Sequence, residues 1–174
     1  MLDRPSTVDM ILDCLKSTNI PASRLIIEVT ESAMMSDPDM ALELVTTLSE
    51  NDVIISLDDF GTGYSSLSHV HKLPLNELKL DRSYLLGDDR DKNKAIIKTS
   101  IELAANLGLV LVAEGVEDLE TLKLLHSLDC ELVQGFLLCK PVSPEELSRI
   151  FNLLENAAGL LAAELSAPTI LRAA

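Results

Sequence analysis

The sequence predicts an α/β fold in which helices cover a parallel β-sheet, and two observations support this prediction. Short apolar stretches of strand length alternate with longer stretches that repeat with the period of a helix. The apolar stretches are hydrophobic on both faces, which is typical of parallel strands that helices bury from both sides. The alternation leaves open whether the sheet closes into a barrel, although no GxGxxG or P-loop lysine motif favours an open nucleotide-binding sheet.

The first strand and the first helix are predicted over 24–30 and 36–51. Asp37 is suited to cap this helix, and Pro38 fits the first helical position because its missing N–H has no partner there in any case. Apolar residues with helical spacing give the helix one face for packing. They are Met40, Leu44, Val45 and Leu48.

The second strand is predicted over 53–59 and ends on two adjacent acids. A loop containing Gly61 and Gly63 follows it and leads into a helix near 64–72. The third strand is predicted over 77–81, where apolar residues flank a lysine.

The second half of the chain repeats the alternation of helix and strand. A helix over 91–107 is predicted to stop at Gly108, which suits a left-handed terminator. A strand over 109–116, a helix marked by leucines over 119–128 and a strand over 132–138 follow. A capping box with proline at the first helical position begins the last predicted helix: Ser143-Pro144-Glu145-Glu146.

The composition and the charge describe one acidic globular domain. The chain has 174 residues, of which 47% are hydrophobic and 24% are charged, and this suffices for a sizeable core. Its net charge of −14 disfavours electrostatic binding to nucleic acid or to an anionic membrane. An anionic small substrate therefore requires a metal ion or a local lysine to hold it.

The cysteines and the lack of long apolar stretches indicate a cytoplasmic location. Cys14, Cys130 and Cys139 are odd in number and share no metal-ligand spacing, so we expect core thiols in a reducing compartment. No stretch reaches the length of a membrane span, and the N-terminal residues lack a signal-peptide core. A parent protein could still be anchored to a membrane through upstream segments.

Polar and ionisable residues gather at the predicted carboxyl ends of the strands. In a parallel sheet these ends share one rim, and in a (β/α) barrel active sites lie on that rim. Acids at such a rim offer the oxygen ligands that divalent cations bind. Each residue alone has a simpler explanation, such as a helix-start acid, a turn cap or a snorkelling lysine, but their joint placement favours a site. The residues are Glu28, Thr30, Glu31, Asp58, Asp59, Lys79, Asp81, Glu114, Glu117 and Gln134.

Five stretches resemble, in order, the motifs of the EAL-domain family. They are EVTES (28–32), SLDDFGTGYSSL (56–67), LKLDRSY (78–84), AEGVE (113–117) and LVQGFLLCKP (132–141). This family consists of bacterial cyclic-di-GMP phosphodiesterases with a TIM-like (β/α) barrel. The resemblance implies hydrolysis of one phosphodiester of cyclic-di-GMP to linear pGpG, with Mg²⁺ or Mn²⁺ in a two-metal site.

The resemblance also implies a role for each matching residue. Asp58 would bridge the two metals, Glu31 would steady the glycine loop, and Lys79 would contact the attacking water. The implied roles are metal binding for Glu28, Asp58 and Asp59; catalysis for Lys79, Glu114 and Glu117; substrate binding for Asp81 and Gln134; and loop stabilisation for Glu31, Gly61, Thr62 and Gly63.

The sequence departs from the family pattern at its N-terminus. The Glu-Ala-Leu motif is absent, together with the following strand and its metal-binding Asn, and about five strand–helix units are visible where a barrel has eight strands. We therefore expect an incomplete TIM-like barrel over 1–157, followed by an Ala/Leu-rich tail or linker over 158–174. With fewer metal ligands, this chain alone is expected to be impaired as an enzyme.

Two further functions remain open from the sequence. One is a non-catalytic cyclic-di-GMP receptor or regulatory module, and the other is a protein-interaction remnant that pairs through an exposed sheet edge. The expected partners are cyclic-di-GMP, a second copy bound through open sheet edges, and an upstream sensory or GGDEF-type domain in the parent protein. Nucleic acid is not an expected partner.

Overall fold

The structure is a computed structural model that describes residues 5–61, 70–86, 89–147, 149–150 and 170–171. The chain divides into two compact units. The first unit holds residues 1–79 with 107–109, and the second holds residues 80–106 with 110–174.

The described residues of the first unit form helices and the first strands of a parallel sheet. Strands β1 and β2 pair in parallel, with Ile26 opposite Ile54 and Thr30 opposite Asp58, and β3 follows β2 in the strand order. The elements are helix α1 (Pro5–Thr18), a 3₁₀ turn (Ala22–Arg24), β1 (Ile26–Thr30), α2 (Glu31–Ser36), α3 (Pro38–Glu50), β2 (Ile54–Phe60) and β3 (Glu77–Leu80), whose last residue belongs to the second unit.

Helix α3 forms as its sequence predicts. The Asp37 carboxylate accepts a hydrogen bond from the Met40 N–H at 3.2 Å, and Pro38 occupies the first turn. Leu44, Val45 and Leu48 are buried, and α3 packs on β2. Each such side chain contributes about 1.5–3 kcal/mol by leaving water, so this face fixes the helix on the sheet.

The described residues of the second unit form three further strands and several helices. Strands β4 and β5 pair in parallel through Val112 opposite Leu132, and β5 pairs in parallel with β6 through Leu132 opposite Ile170. The elements are α4 (Ser83–Leu86), α5 (Arg90–Leu107), β4 (Val110–Ala113), α6 (Leu119–Ser127), β5 (Leu132–Val133) and β6 (Ile170–Leu171).

Two strands, β4 and β5, are shorter in the structure than the sequence predicts. Strand β4 ends at Ala113 rather than at residue 116, because Gly115 takes a φ of 71° and turns the chain out of the strand. Strand β5 spans only Leu132–Val133 instead of 132–138. After it the chain turns locally, since the Leu138 N–H donates to the Gly135 carbonyl at 3.0 Å. The apolar run therefore continues beyond the strand.

The predicted α/β class with parallel strands is confirmed, and some elements were not foreseen. Helices α1, α2 and α4 were not predicted, nor was β6, which falls inside the expected tail. Gly108 has a φ of 70° directly after α5 and confirms the predicted helix end. The predicted helix near 64–72 falls mainly outside the described residues.

The prediction of core thiols holds for one cysteine only. Cys130 is buried, whereas Cys14 lies on the exposed face of α1 and Cys139 is half-buried. The prediction was wrong for Cys14 because α1, which had not been foreseen, turns that position to solvent. Burial raises the pKa of the Cys130 thiol from 9.0 to about 11, against two smaller opposing effects of hydrogen bonds with the Ala113 and Leu132 backbone.

The raised pKa of Cys130 predicts a loss of stability at alkaline pH. The unfolded thiol ionises near 9.0 and the folded one near 11, so this contribution to the free energy of unfolding is intact below pH 9.0 and falls as the pH rises through about 11. Urea unfolding at stepwise pH measures it. Cys130→Ala should show a smaller fall over that range, and an identical fall in both proteins would contradict the assignment.

Candidate active site at the strand ends

Lys79 is a buried cation held between two carboxylates in the first unit. Its Nζ lies 2.6 Å from Glu28 Oε1 and 3.6 Å from Asp58 Oδ1. The Lys79 side chain is 6% exposed, while those of Glu28 and Asp58 are 49% and 23% exposed. A buried ammonium is costly without such partners. Lys79 therefore does not snorkel to solvent, and strands β1, β2 and β3 bring all three charges together.

The paired acids at the end of β2 have different roles in the local structure. The Asp59 N–H donates to Asp58 Oδ1 at 3.0 Å, so this oxygen also faces an N–H. Asp59 itself has a φ of 57°, a left-handed conformation that Asp tolerates better than most residues. Gly61 follows with a φ of 93°. The chain thus leaves β2 through two left-handed residues close to Asp58.

The carboxylates of Glu28 and Asp58 are the type of ligand that a hard divalent cation binds. Glu28 and Asp58 each present a carboxylate oxygen to the same positive group, and carboxylate oxygens are the ligands that Mg²⁺ and Mn²⁺ take. Among the described residues, no group of three or more His, Cys, Asp or Glu is arranged to hold a metal. Glu28 and Asp58 can therefore supply part of the ligands of one ion.

Glu31 is a buried carboxylate of the first unit. It is 4% exposed at the start of α2, directly after the Thr30 hydroxyl that accepts the Ala33 N–H at 3.3 Å. Neither Glu31 carboxylate oxygen has a hydrogen-bond partner in the part of the chain that the structure describes. Burying such a group costs free energy that a structural or functional contact must offset.

We expect Glu31 to anchor the glycine loop, of which Thr62 and Gly63 lie outside the described residues. Glu31→Ala should then speed amide hydrogen exchange over residues 60–66, because the loop loses the acceptor that holds its N–H groups. Glu43→Ala, which changes an exposed acid of α3, is the matched control. If exchange over residues 60–66 is the same in both variants, Glu31 does not anchor the loop.

The second unit brings other predicted residues to the ends of adjacent strands. The Glu114 N–H donates to the Leu80 carbonyl at 3.2 Å, and the Gln134 N–H donates to the Ala113 carbonyl at 2.9 Å. Glu114 and Gln134 are half-buried, while Glu117 is exposed. These backbone contacts place Glu114 next to the end of β3 and Gln134 next to the end of β4.

Asp81 caps a turn in this unit. Its Oδ1 accepts the Ser83 N–H at 3.0 Å at the start of α4. A hydrogen bond from the Ser83 side chain is the main cause that lowers the pKa of Asp81, and burial opposes it. The neighbouring Arg82 charge adds a smaller lowering of the same pKa. Arg82 was not singled out from the sequence, although it stands inside the stretch LKLDRSY.

Comparison with known proteins shows the family of this chain. The family description "EAL domain" matches residues 1–141. The bifunctional diguanylate cyclase/cyclic di-GMP phosphodiesterase MucR of Pseudomonas aeruginosa is 44% identical over 142 residues, which cover 80% of this chain and 21% of that protein. This chain thus spans about a fifth of that relative's length.

Solved structures agree in fold. The MucR phosphodiesterase in complex with cyclic-di-GMP matches with a TM-score of 0.79 and 42% identity, covering 84% of this chain and 60% of that one. The manganese and cyclic-di-GMP complex of Klebsiella pneumoniae BlrP1 matches with a TM-score of 0.71 and 30% identity, covering 78% and 35%.

The chain therefore has the α/β fold of the solved EAL-domain structures that it matches. It belongs to the EAL-domain family. The expected fold class, a TIM-like (β/α) barrel that is incomplete here, is confirmed by these neighbours together with the parallel strands. None of the helices in the described part of the chain is long and apolar enough to cross a bilayer.

Proposed function

We propose that this chain carries the catalytic region of a cyclic-di-GMP-specific phosphodiesterase, which hydrolyses cyclic-di-GMP to linear pGpG with Mg²⁺ or Mn²⁺. The observation that carries the proposal is the buried Lys79 of β3, held between Glu28 of β1 and Asp58 of β2 in an EAL domain. Relatives with this fold are named as cyclic-di-GMP phosphodiesterases, or were crystallised with cyclic-di-GMP and manganese.

The reaction adds a water oxygen to phosphorus and breaks the bond between phosphorus and one ribose 3′ oxygen. A protonated lysine can only donate hydrogen bonds, so Lys79 would hold the attacking water and face the negative charge that develops on the phosphate. Glu114 and Glu117, the carboxylates that we assign to the catalytic water, would accept the proton that the water loses. The leaving 3′ oxygen takes up a proton, and the product keeps a 5′ phosphate.

Glu28, Asp58 and Asp59 are the residues that would hold the divalent cations, in the two-metal arrangement that the family implies. A divalent cation bound there supplies positive charge against the phosphodiester and lowers the pKa of water. We assign Glu114 and Glu117 to the catalytic water, and Asp81 and Gln134 to substrate binding. Glu31, Gly61, Thr62 and Gly63 keep their proposed role in supporting the loop.

We also propose that this chain alone turns over slowly. It covers 60% of the MucR phosphodiesterase structure, and its described residues hold no cluster of three metal-binding side chains. Displacement of a reacting group by about 1 Å costs on the order of a hundredfold in rate. A rate equal to that of a complete EAL domain, measured on a monomer by light scattering, would contradict this part of the proposal.

A second candidate function is a cyclic-di-GMP receptor without turnover. The departure of the sequence from the family pattern at its N-terminus favours it, while the buried Lys79 between two acids favours catalysis. Titration of cyclic-di-GMP with and without Mg²⁺ separates the two, because a receptor binds equally in both and leaves the ligand uncleaved.

We further propose a cytoplasmic location, pairing with a second copy through a sheet edge, and an upstream sensory or GGDEF-type domain in the parent protein.

The metal assignment predicts a specific loss in one variant. Asp58→Asn should weaken Mn²⁺ binding at least about tenfold, because an amide replaces a charged ligand. Asp13→Asn removes an exposed acid whose partner Lys16 lies 3.8 Å away, and it should leave Mn²⁺ binding unchanged. Isothermal titration calorimetry measures both. Equal affinity in the two variants would contradict the assignment of Asp58.

A further inference from the structure

Ser56 is a buried serine of β2 whose hydroxyl has no hydrogen-bond partner among the described residues. Its side chain is fully shielded, with an exposed fraction of 0%, and its Oγ makes no hydrogen bond within that part of the chain. A buried hydroxyl gives up its hydrogen bonds to water, so leaving it without a partner costs free energy. An alanine at this position would avoid that cost at nearly the same volume. Stability therefore does not account for a serine here, whereas a ligand-bound state with an acceptor for the hydroxyl would.

The Ser56 side chain lies on the same face of the sheet as the two carboxylates around Lys79. Ser56 is opposite Glu28 in the register of β1 and β2, and Asp58 lies two residues further along β2. Side chains of paired residues, and those two apart in one strand, point to the same face of a sheet. All four residues belong to the first unit. Ser56 is thus a direct neighbour of Glu28, one of the proposed metal ligands.

Glu28 is turned toward Lys79 in this structure. Its Oε1 lies 2.6 Å from Lys79 Nζ, and its side chain is 49% exposed. A divalent cation that binds this carboxylate competes with the ammonium for the same oxygens. A carboxylate has about four lone-pair positions, so one that binds a cation can still accept a hydrogen bond. A neutral donor suits this position better than a charged one, because it does not repel the cation. The hydroxyl of Ser56 is a neutral donor on the same face.

We propose that Ser56 is a positioning residue for the divalent cation: its hydroxyl donates a hydrogen bond to the Glu28 carboxylate when that carboxylate binds the metal. This inference rests on the proposed function, which assigns Glu28 to the metal. Hydrogen bonds to metal ligands orient them, and their loss costs about ten- to a hundredfold in metal affinity. Because the contact forms in the cation-bound state, it strengthens metal binding without stabilising the metal-free chain.

The test compares the Mn²⁺ affinity and the stability of serine variants. Ser56→Ala should bind Mn²⁺ about tenfold more weakly than the wild type in isothermal titration calorimetry. The urea midpoint of the metal-free variant should be equal to or higher than that of the wild type, because alanine removes a buried hydroxyl without a partner among the described residues. Ser56→Cys keeps a weak S–H donor and should have an intermediate affinity. The matched control is Ser100→Ala, at a serine of α5 that is 7% exposed, and it should bind Mn²⁺ as the wild type does.

The two measurements together distinguish positioning of the metal ligand from a role in folding. Weaker Mn²⁺ binding with an equal or higher urea midpoint in Ser56→Ala is the result that supports the inference. A lower midpoint would show that the hydroxyl stabilises the metal-free fold, and it would overturn the inference. Equal Mn²⁺ affinity of Ser56→Ala and wild type would overturn the inference alone and leave the proposed function intact. A wild type that binds no Mn²⁺ would overturn the proposed metal site as well.

Discussion

Replacing Lys79 by methionine is expected to lower the release of pGpG about a hundredfold or more, the usual loss when a positioned group that handles the reacting water is removed. Methionine keeps much of the length and the apolar volume of the side chain, so the strand can stay packed. The ammonium that lies 2.6 Å from Glu28 and 3.6 Å from Asp58 is lost. Product release followed by chromatography measures the effect.

The same variant should keep its affinity for Mn²⁺ or increase it. Without Lys79, the carboxylates of Glu28 and Asp58 lose a positive charge that competes with a cation for the same oxygens. The control is Lys92→Met, which removes an ion pair of similar length, 2.7 Å to Asp89, whose lysine side chain is 80% exposed. Lys92→Met should change neither property. A parallel loss of turnover and of Mn²⁺ affinity in Lys79→Met would indicate unfolding or a purely structural role.

Gly135→Ala is expected to destabilise the protein by about 3 kcal/mol or more, toward the upper end of the range for overpacking. The added Cβ would stand 2.2 Å from the carbonyl oxygen of Val116, 2.3 Å from its nitrogen and 2.7 Å from its carbonyl carbon. Backbone atoms cannot rotate away as a side chain can. The Val116 N–H also donates to the Gln134 carbonyl at 3.1 Å, and its carbonyl accepts the Leu137 N–H at 2.9 Å. Both bonds would have to shift.

Gly108→Ala provides the matched comparison for this prediction. Gly108 has a φ of 70° but nothing within 4 Å of an added Cβ, so the substitution brings strain without a clash. Its cost should stay near 1 kcal/mol, the usual penalty for a left-handed non-glycine residue. Urea unfolding of the two variants measures the difference. Equal destabilisation would show that the close approach of Gly135 to Val116 has no energetic consequence.

The sequence predicted the helices and strands whose signals are local. Helix α3 has its cap at Asp37 and its proline at Pro38, and both act as expected because a cap depends only on neighbours in the chain. Strand β4 was predicted too long because Gly115 takes a positive φ there, and β5 because the chain turns at Gly135. The apolar run after Gln134 continues, but the backbone of Gly135 is already held against Val116. Periodicity contains no information on such an approach.

The candidate site, like the fold, could be predicted from the sequence only in part. Motif residues identified Glu28, Asp58 and Lys79, and the structure brings these three into contact. Neither the burial of Lys79 nor the buried, unpartnered oxygens of Glu31 among the described residues followed from the motifs. Arg82 was missed because a single arginine after an aspartate carries no signal by itself. Its close approach to Gly115 is a relation that only the three-dimensional structure shows.

The release of pGpG from cyclic-di-GMP by the purified chain tests the central claim most directly. The wild type, Lys79→Met and Lys92→Met are incubated with excess substrate, with Mn²⁺ or with a chelator, and the products are separated by chromatography. The account predicts slow formation of linear pGpG that requires Mn²⁺, persists in Lys92→Met and is lost in Lys79→Met. No pGpG from the wild type with Mn²⁺, or equal formation by wild type and Lys79→Met, would contradict it.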